Sequence, residues 1–227
     1  MAKQVKFFMK YKLILFDADG TIFDDDQAIV RAIKKGFIEK KLNAPSEHVI
    51  LKHAGHSARQ WIELIAKDEQ LTLTNEELNE ISQHAVQVLT GFFFKILGRE
   101  MHGAKDVIHT LHTHHIKTTV VTNSTEDFTR EALKIVKMDG LFQEVFAFDN
   151  GVKPKPAPDI LLKAIHAYDI PKEHILMVGD TQVDIDAANA AGIDSALLVN
   201  HRNKDVKGVT QRITSLNQLI TIATQQQ

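Results

Sequence analysis

The apolar run Leu13-Ile14-Leu15-Phe16 stops abruptly at Asp17-Ala18-Asp19-Gly20-Thr21. A short apolar run bounded by turn residues reads as a buried strand. Side chains two apart in an extended chain face the same way, so Asp17 and Asp19 face one pocket at the strand's tip. Two carboxylates that close repel each other unless a cation or a proton neutralises one of them. Gly20 lets the backbone turn sharply there. Alone, the segment also fits an exposed Asp-Gly turn. Three polar groups further along the chain separate the two readings.

Two textures follow. From about Asp25 to Leu97 the pattern is helical. Ile29, Ile33 and Phe37 repeat at helical spacing, as do Trp61, Leu64 and Ile65. Thr74 with Glu77 predicts a capping box, and Leu78, Ile81, Ala85, Val88 and Phe92 continue that helix. About four helices are expected, broken near Ala44-Pro45 and Gly55.

After Gly103 strands and helices alternate. Helices are expected over Ala104–His114, from a Ser124 cap through Thr125 to about Lys137, from Pro158 to about Tyr168, up to Ala191 before Gly192, and over Ser215–Ala223. Strands are expected over Ile116–Thr122, Val145–Phe148, Ile175–Val178 and Ser195–Val199. Such alternation predicts an α/β fold with a parallel sheet covered on both faces. Residues 1–23 and 99–227 then form the sheet core, and 24–98 an all-helical insertion after the first strand.

In sheets of this kind ligands bind beyond the carboxyl ends of the strands. The polar groups lie there. Asp17 and Asp19 follow the first strand, and Thr122-Asn123-Ser124 ends the second. Lys155 stands in Lys153-Pro154-Lys155-Pro156-Ala157-Pro158 after the third, and Asp180 and Asp184 follow the fourth. Each has a plainer explanation alone: a cap, a solvated lysine, a turn acid, a first-turn helix acid. Their convergence on one edge favours a site. Clustered carboxylates without cysteine are hard oxygen ligands suited to Mg²⁺. A lysine and a hydroxyl complement phosphate oxygens. Together they remove the repulsion between a carboxylate nucleophile and a phosphate dianion. One Asp can then attack phosphorus while a second moves the proton.

These motifs resemble those of the haloacid dehalogenase superfamily of hydrolases, over nearly the whole chain: Asp17-Ala18-Asp19-Gly20-Thr21, Thr122, Lys155 in Lys-Pro-Ala-Pro-Asp, and Gly179-Asp180 with Asp184. The resemblance implies a Rossmann-like core with a helical cap inserted after the first motif. It implies Asp17 as nucleophile and Asp19 as general acid/base, with Thr122, Asn123 and Lys155 at the phosphoryl group. It implies Mg²⁺ held by Asp17, the Asp19 backbone carbonyl, Asp180 and Asp184, the last directly or through water. Lys153 is the rival for the lysine role, and Lys155 is the closer match. An acid at Asp19 sets the chain apart from dehalogenases and phosphonatases of the superfamily. The stretch Asp24-Asp25-Asp26-Gln27-Ala28-Ile29-Val30 lacks the histidine usual in the β-phosphoglucomutase branch. The closest resemblance is to the phosphoglycolate phosphatase group, and the expected substrate is a small-molecule phosphate ester. A mutase-like phosphotransferase and a non-catalytic phosphoacceptor or regulatory binding protein are the alternatives. Receiver modules of the latter kind are shorter and lack a helical insertion.

Within the insertion, Gly55 lies between two helices, and His56 and Arg59 beside it are candidates to contact a substrate carboxylate or hydroxyl. Arg59 also fits a solvated helix position, and His53 a packing histidine. Asp24, Asp25 and Asp26 read as first-turn helix acids, and Phe92-Phe93-Phe94 as core packing. The net charge of −2 disfavours a general nucleic-acid partner. No apolar run reaches the length of a membrane span and no signal peptide is evident, so a cytoplasmic enzyme with no membrane partner is expected. Met1 and Met9 are alternative starts, with Met1–Phe8 an extension poorly tied to the core.

Overall fold

The computed structural model describes residues 7–148 and 152–226. In chain order the elements are β1 (Phe7–Met9), β2 (Leu13–Phe16), β3 (Phe23–Asp24), α1 (Asp26–Glu39), α2 (Glu47–Lys52), α3 (Ala58–Asp68), α4 (Asn75–Val88), α5 (Phe94–Leu97), β4 (Arg99–Glu100), α6 (Ala104–Thr113), β5 (Lys117–Thr122), α7 (Glu126–Ile135), β6 (Val145–Ala147), α8 (Asp159–Tyr168), β7 (Ile175–Gly179), α9 (Gln182–Ala191), β8 (Asp194–Leu198), β9 (Gln211–Ile213), α10 (Gln218–Ala223) and β10 (Thr224–Gln226).

Six strands form one sheet in the order β6-β5-β2-β7-β8-β9. Every pair in it is parallel. All four residues of β2 are buried, because both faces of the sheet are covered. Ile14 and Phe16 pack on one face with residues of α6 and α7. Leu13 and Leu15 pack on the other with residues of α8 and α9. Phe16 lies level with Val120 on β5 and Val178 on β7. That register brings the chain leaving β2, β5 and β7 out at one edge, side by side.

The chain leaves the sheet through β3 and returns through β4, which pair antiparallel. Between them the helices bury an apolar cluster of their own, including Ile33, Phe37, Ile50, Trp61, Ile65 and Ile81. The Thr74–Glu77 capping box opens α4. After Val88 the helix widens into a π-turn over Leu89–Phe93. There the Thr90 hydroxyl bonds the Val86 carbonyl at 2.8 Å, and Gly91 adds backbone freedom where the hydrogen-bond ladder shifts.

Several sequence expectations need correction. Thr125, not Ser124, caps α7 by accepting from the Phe128 amide. Phe94 is buried against Phe23 and Phe128, but Phe92 is 57% exposed. β9 falls in a stretch with no strand-like run of its own and forms because β8 offers it an edge. Phe7–Met9 is tied to the rest by antiparallel pairing with Thr224–Gln226. The remainder of the expected loose extension, residues 1–6, lies outside the described residues. Among those residues no helix is long and apolar enough to cross a membrane.

The loop between α2 and α3 reaches the sheet edge at Gly55. Its φ is +91°, and a Cβ there would lie 2.5 Å from the Thr181 hydroxyl. Gly55→Ala should therefore destabilise the fold by about 1–3 kcal/mol. Denaturant unfolding checks this, and an unchanged midpoint would contradict the close approach.

Candidate active site

The centre of the site is a buried lysine. Lys155 is 1% exposed. Its ammonium donates to Asp17 Oδ1 at 2.6 Å, to Asp184 Oδ1 at 2.6 Å and to the Val121 carbonyl at 3.0 Å. Burial alone would lower its pKa, but the two carboxylates outweigh that and raise it. The Asn123 amide holds the loop in place, accepting from the Lys155 N–H and donating to the Lys155 carbonyl, both at 2.8 Å. Lys153, the sequence rival, is exposed.

Asp184 is fixed from its other side. Its Oδ2 accepts from the Thr181 hydroxyl at 2.6 Å and the Thr181 N–H at 3.1 Å, as part of the capping box that opens α9. Gly179 is required beneath it, since a Cβ there would stand 2.4 Å from the Asp184 carboxyl carbon. Asp180 has one oxygen 3.2 Å from the Asn200 amide, while the other is buried with no partner. Asn203 bonds the Asp180 backbone carbonyl at 2.7 Å. Arg202 spans Asp26 of α1 at 2.9 Å and Asp180 at 3.6 Å. Asn200, Arg202 and Asn203 are site residues that no sequence motif singles out. The signal was present, because they follow β8 at the same sheet edge.

The Asp19 carboxylate accepts from the Ser124 hydroxyl at 2.6 Å, and its other oxygen is buried with no partner. Ser124 thus touches the site instead of capping a helix. The Thr122 hydroxyl is buried and accepts from the Ser124 N–H at 3.0 Å. Asp17, Asp180 and Asp184 each offer an oxygen, all within 4.8 Å of one another.

The model of the haloacid dehalogenase-like hydrolases matches residues 14–198, from the first central strand to the end of β8. The chain belongs to that hydrolase family. A phosphoglycolate phosphatase of Aquifex aeolicus is 28% identical over 189 residues, covering 82% of this chain and 84% of that protein. A pyrophosphatase PpaX of Anoxybacillus flavithermus is 27% identical over 190 residues, covering 83% of each. Among solved structures, CbbY from Rhodobacter sphaeroides in complex with phosphate overlays with a TM-score of 0.80 at 18% identity, covering 92% and 96%. That last likeness is one of fold.

In this hydrolase the three clustered carboxylates suit a hard divalent cation. The donors are all oxygen, and Asp180 keeps a buried oxygen with no partner in the protein. Both oxygens of Asp184 are already engaged, by Lys155 and by Thr181.

A cavity of about 750 Å³ opens over the carboxylates and reaches the helices above. His56 and Arg59 line it. His56 donates through Nδ1 to the His53 carbonyl at 3.0 Å. The Arg59 guanidinium is held by Asn79 at 2.8 Å, Glu63 at 3.0 Å and Asn75 at 2.9 Å, a set contributed by α3 and α4. Asn123 also donates to the Gly55 carbonyl at 2.8 Å, tying the helical layer to the strand edge. Of the three acids expected in a first helical turn only Asp26 lies there, and it meets Arg202; Asp24 is exposed at the end of β3, and Asp25 stands at the cap of α1 and is 1% exposed. Burial and the neighbouring Asp19 raise the Asp25 pKa well above the usual carboxylate range.

Burial, reinforced by Asp184, also raises Asp17, and burial raises Asp19. Asp180 is pushed up to about 7 by burial and by Asp184. The folded protein therefore holds more protons than the unfolded chain between the usual carboxylate range, about pH 4, and the raised values. More protons bound in the native state means that stability falls as pH rises through that window. The Lys155 shift acts only above the usual lysine range. In chelator, urea midpoints should be lower at about pH 8 than at about pH 5. A higher midpoint at the alkaline value would contradict this electrostatic reading.

Proposed function

We propose that the chain is a Mg²⁺-dependent phosphatase that hydrolyses a small-molecule phosphate monoester through an aspartyl-phosphate on Asp17. Residues 24–98 serve as a cap over the core formed by 1–23 and 99–227, and a cytoplasmic location belongs to the same reading. The observation that carries it is Asp17 at the cavity floor, with one oxygen held by a buried ammonium and Asp19 held two residues on by Ser124.

Burial and Asp184 hold the Asp17 pKa above the usual carboxylate range, and the Lys155 ammonium pulls it back toward the ionised form that attack requires. An ionised Asp17 oxygen attacks phosphorus, and the bond to the alcohol oxygen breaks. Asp19, whose pKa burial has raised, gives its proton to that oxygen. It then takes a proton from water, which attacks phosphorus and releases Asp17. The buried hydroxyl of Thr122 and the Asn123 segment flank the phosphoryl position. Asp17, the Asp19 backbone carbonyl and Asp180 would hold Mg²⁺, with Asp184 acting through Lys155 and water because its own oxygens are engaged. The ion supplies charge neutralisation at the phosphate oxygens. The missing histidine at the start of α1 weighs against the mutase alternative. The helical layer and the filled acid/base position weigh against a phosphoacceptor that stalls.

EDTA should abolish phosphate release and excess Mg²⁺ restore it, with full activity in metal-free buffer counting against the reading. Asp17→Asn should lose about 10³-fold or more in kcat, because the nucleophile is gone while its shape remains. A variant that kept about a tenth of the rate would remove Asp17 from that role. Asp19→Asn should lower kcat/KM, which reports the first half-reaction, by about 10²-fold or more for an alkyl phosphate and much less for a p-nitrophenyl ester, since that leaving group needs no proton. Equal losses in kcat/KM on both esters would deny Asp19 the role of acid.

A further inference from the structure

The cavity that reaches from Asp17 into the helical layer has the chemistry of a particular leaving group. Its volume is about 750 Å³, which is large for a two-carbon acid or a second phosphate. Ile29, Ile33, Trp61, Ile62, Val86 and Leu89 are the apolar part of its lining, interspersed with uncharged polar groups such as Gln60, Ser82 and Gln83. These residues come from α1, α3, α4 and the π-turn, so the apolar surface faces the site from several sides.

The cations on this wall already have protein partners. Among the described residues the cavity's Lys and Arg side chains are Arg59 and Arg202. Every nitrogen-bearing arm of Arg59 is taken by Asn75, Asn79 or Glu63. Arg202 is ion-paired with Asp26 at 2.9 Å and lies 3.6 Å from Asp180, with its Nη1 making no aligned hydrogen bond. Lys155 lies beneath the floor between two carboxylates. A carboxylate or phosphate on the leaving group would lie against apolar side chains and would have to compete with protein partners for the two guanidiniums. A buried charge without a partner is strongly disfavoured, whereas an apolar group gains by leaving water.

We propose that the substrate is a phosphate monoester of a bulky, uncharged, largely apolar alcohol, aryl-alkyl or branched-alkyl in kind. The small anionic leaving groups, glycolate and phosphate, that the names of its relatives suggest are poor fits. This rests on the phosphatase reading above and specifies its leaving group. His56 Nδ1 is committed to a backbone carbonyl, which leaves Nε2 as the ring atom free to meet one polar group of such a substrate.

The test uses the Mg²⁺-loaded full chain and three probes: benzyl phosphate, 2-phosphoglycolate and inorganic pyrophosphate. Benzyl alcohol and glycolate are both alkyl leaving groups, so intrinsic reactivity does not decide the outcome. The expected result is a kcat/KM for benzyl phosphate at least about tenfold above either anion. A preference for 2-phosphoglycolate or pyrophosphate overturns the inference and leaves the phosphatase reading standing. Release of phosphate from none of the probes, nor from p-nitrophenyl phosphate, overturns both. Val86→Arg places a cation on the half-buried wall of α4. It should cut the ratio of benzyl phosphate to 2-phosphoglycolate by about tenfold with the thermal midpoint little changed. An unchanged ratio in that folded variant would remove the wall from the specificity site.

Discussion

Three carboxylates at one sheet edge can coexist because an ammonium lies among them. Lys155 meets Asp17 and Asp184 at 2.6 Å each in a place closed to water. Losing one partner of such a buried pair costs about 3–5 kcal/mol, because the other charge stays buried. Much of the neighbouring structure exists to hold that lysine. Asn123 clamps its backbone on both sides. Val121 turns a carbonyl toward it, and Gly179 leaves room for the carboxylate it binds. Lysine and acids reach the same point because β2, β5 and β7 run parallel and level.

The same residues couple the helical layer to the sheet. Asn123 bonds Lys155 and also the Gly55 carbonyl. Arg202 joins Asp26, in the first turn of α1, to Asp180 at the strand edge. The helical layer thus meets the chemistry through a hydrogen bond at Gly55 and an ion pair at Asp26. Between them lies the apolar cavity. Binding energy from a leaving group held there can act on the orientation of the phosphate below, which affects turnover as well as affinity.

Much of this was legible in the residues. Leu13–Phe16 reads as a strand buried on both sides, and the strand-end rule places Asp17, Asp19, Thr122, Lys155, Asp180 and Asp184 together. The family resemblance rests on those positions, and the family match spans them. Less was legible where tertiary context decides. Ser124 looks like any helix cap until Asp19 is seen 2.6 Å away. Asp25 resembles its two acidic neighbours, and only the packing around β3 buries it. Arg59 lies beside Gly55 as expected, but the helical period turns its guanidinium to Asn75 and Asn79, whose positions depend on how α3 and α4 cross. β9 has no apolar alternation of its own and depends on the edge that β8 offers.

The central claim is that Asp17 carries the phosphoryl group during turnover. Rapid acid quench of the Mg²⁺-loaded enzyme with a turning-over ester, followed by peptide mass spectrometry, tests it directly. The expected result is the added mass of one phosphoryl group on the peptide containing Asp17. That label should be lost on hydroxylamine treatment, as an acyl phosphate requires, and absent from Asp17→Asn. Turnover with no labelled peptide at any quench time, or a label that maps to another residue, would contradict it.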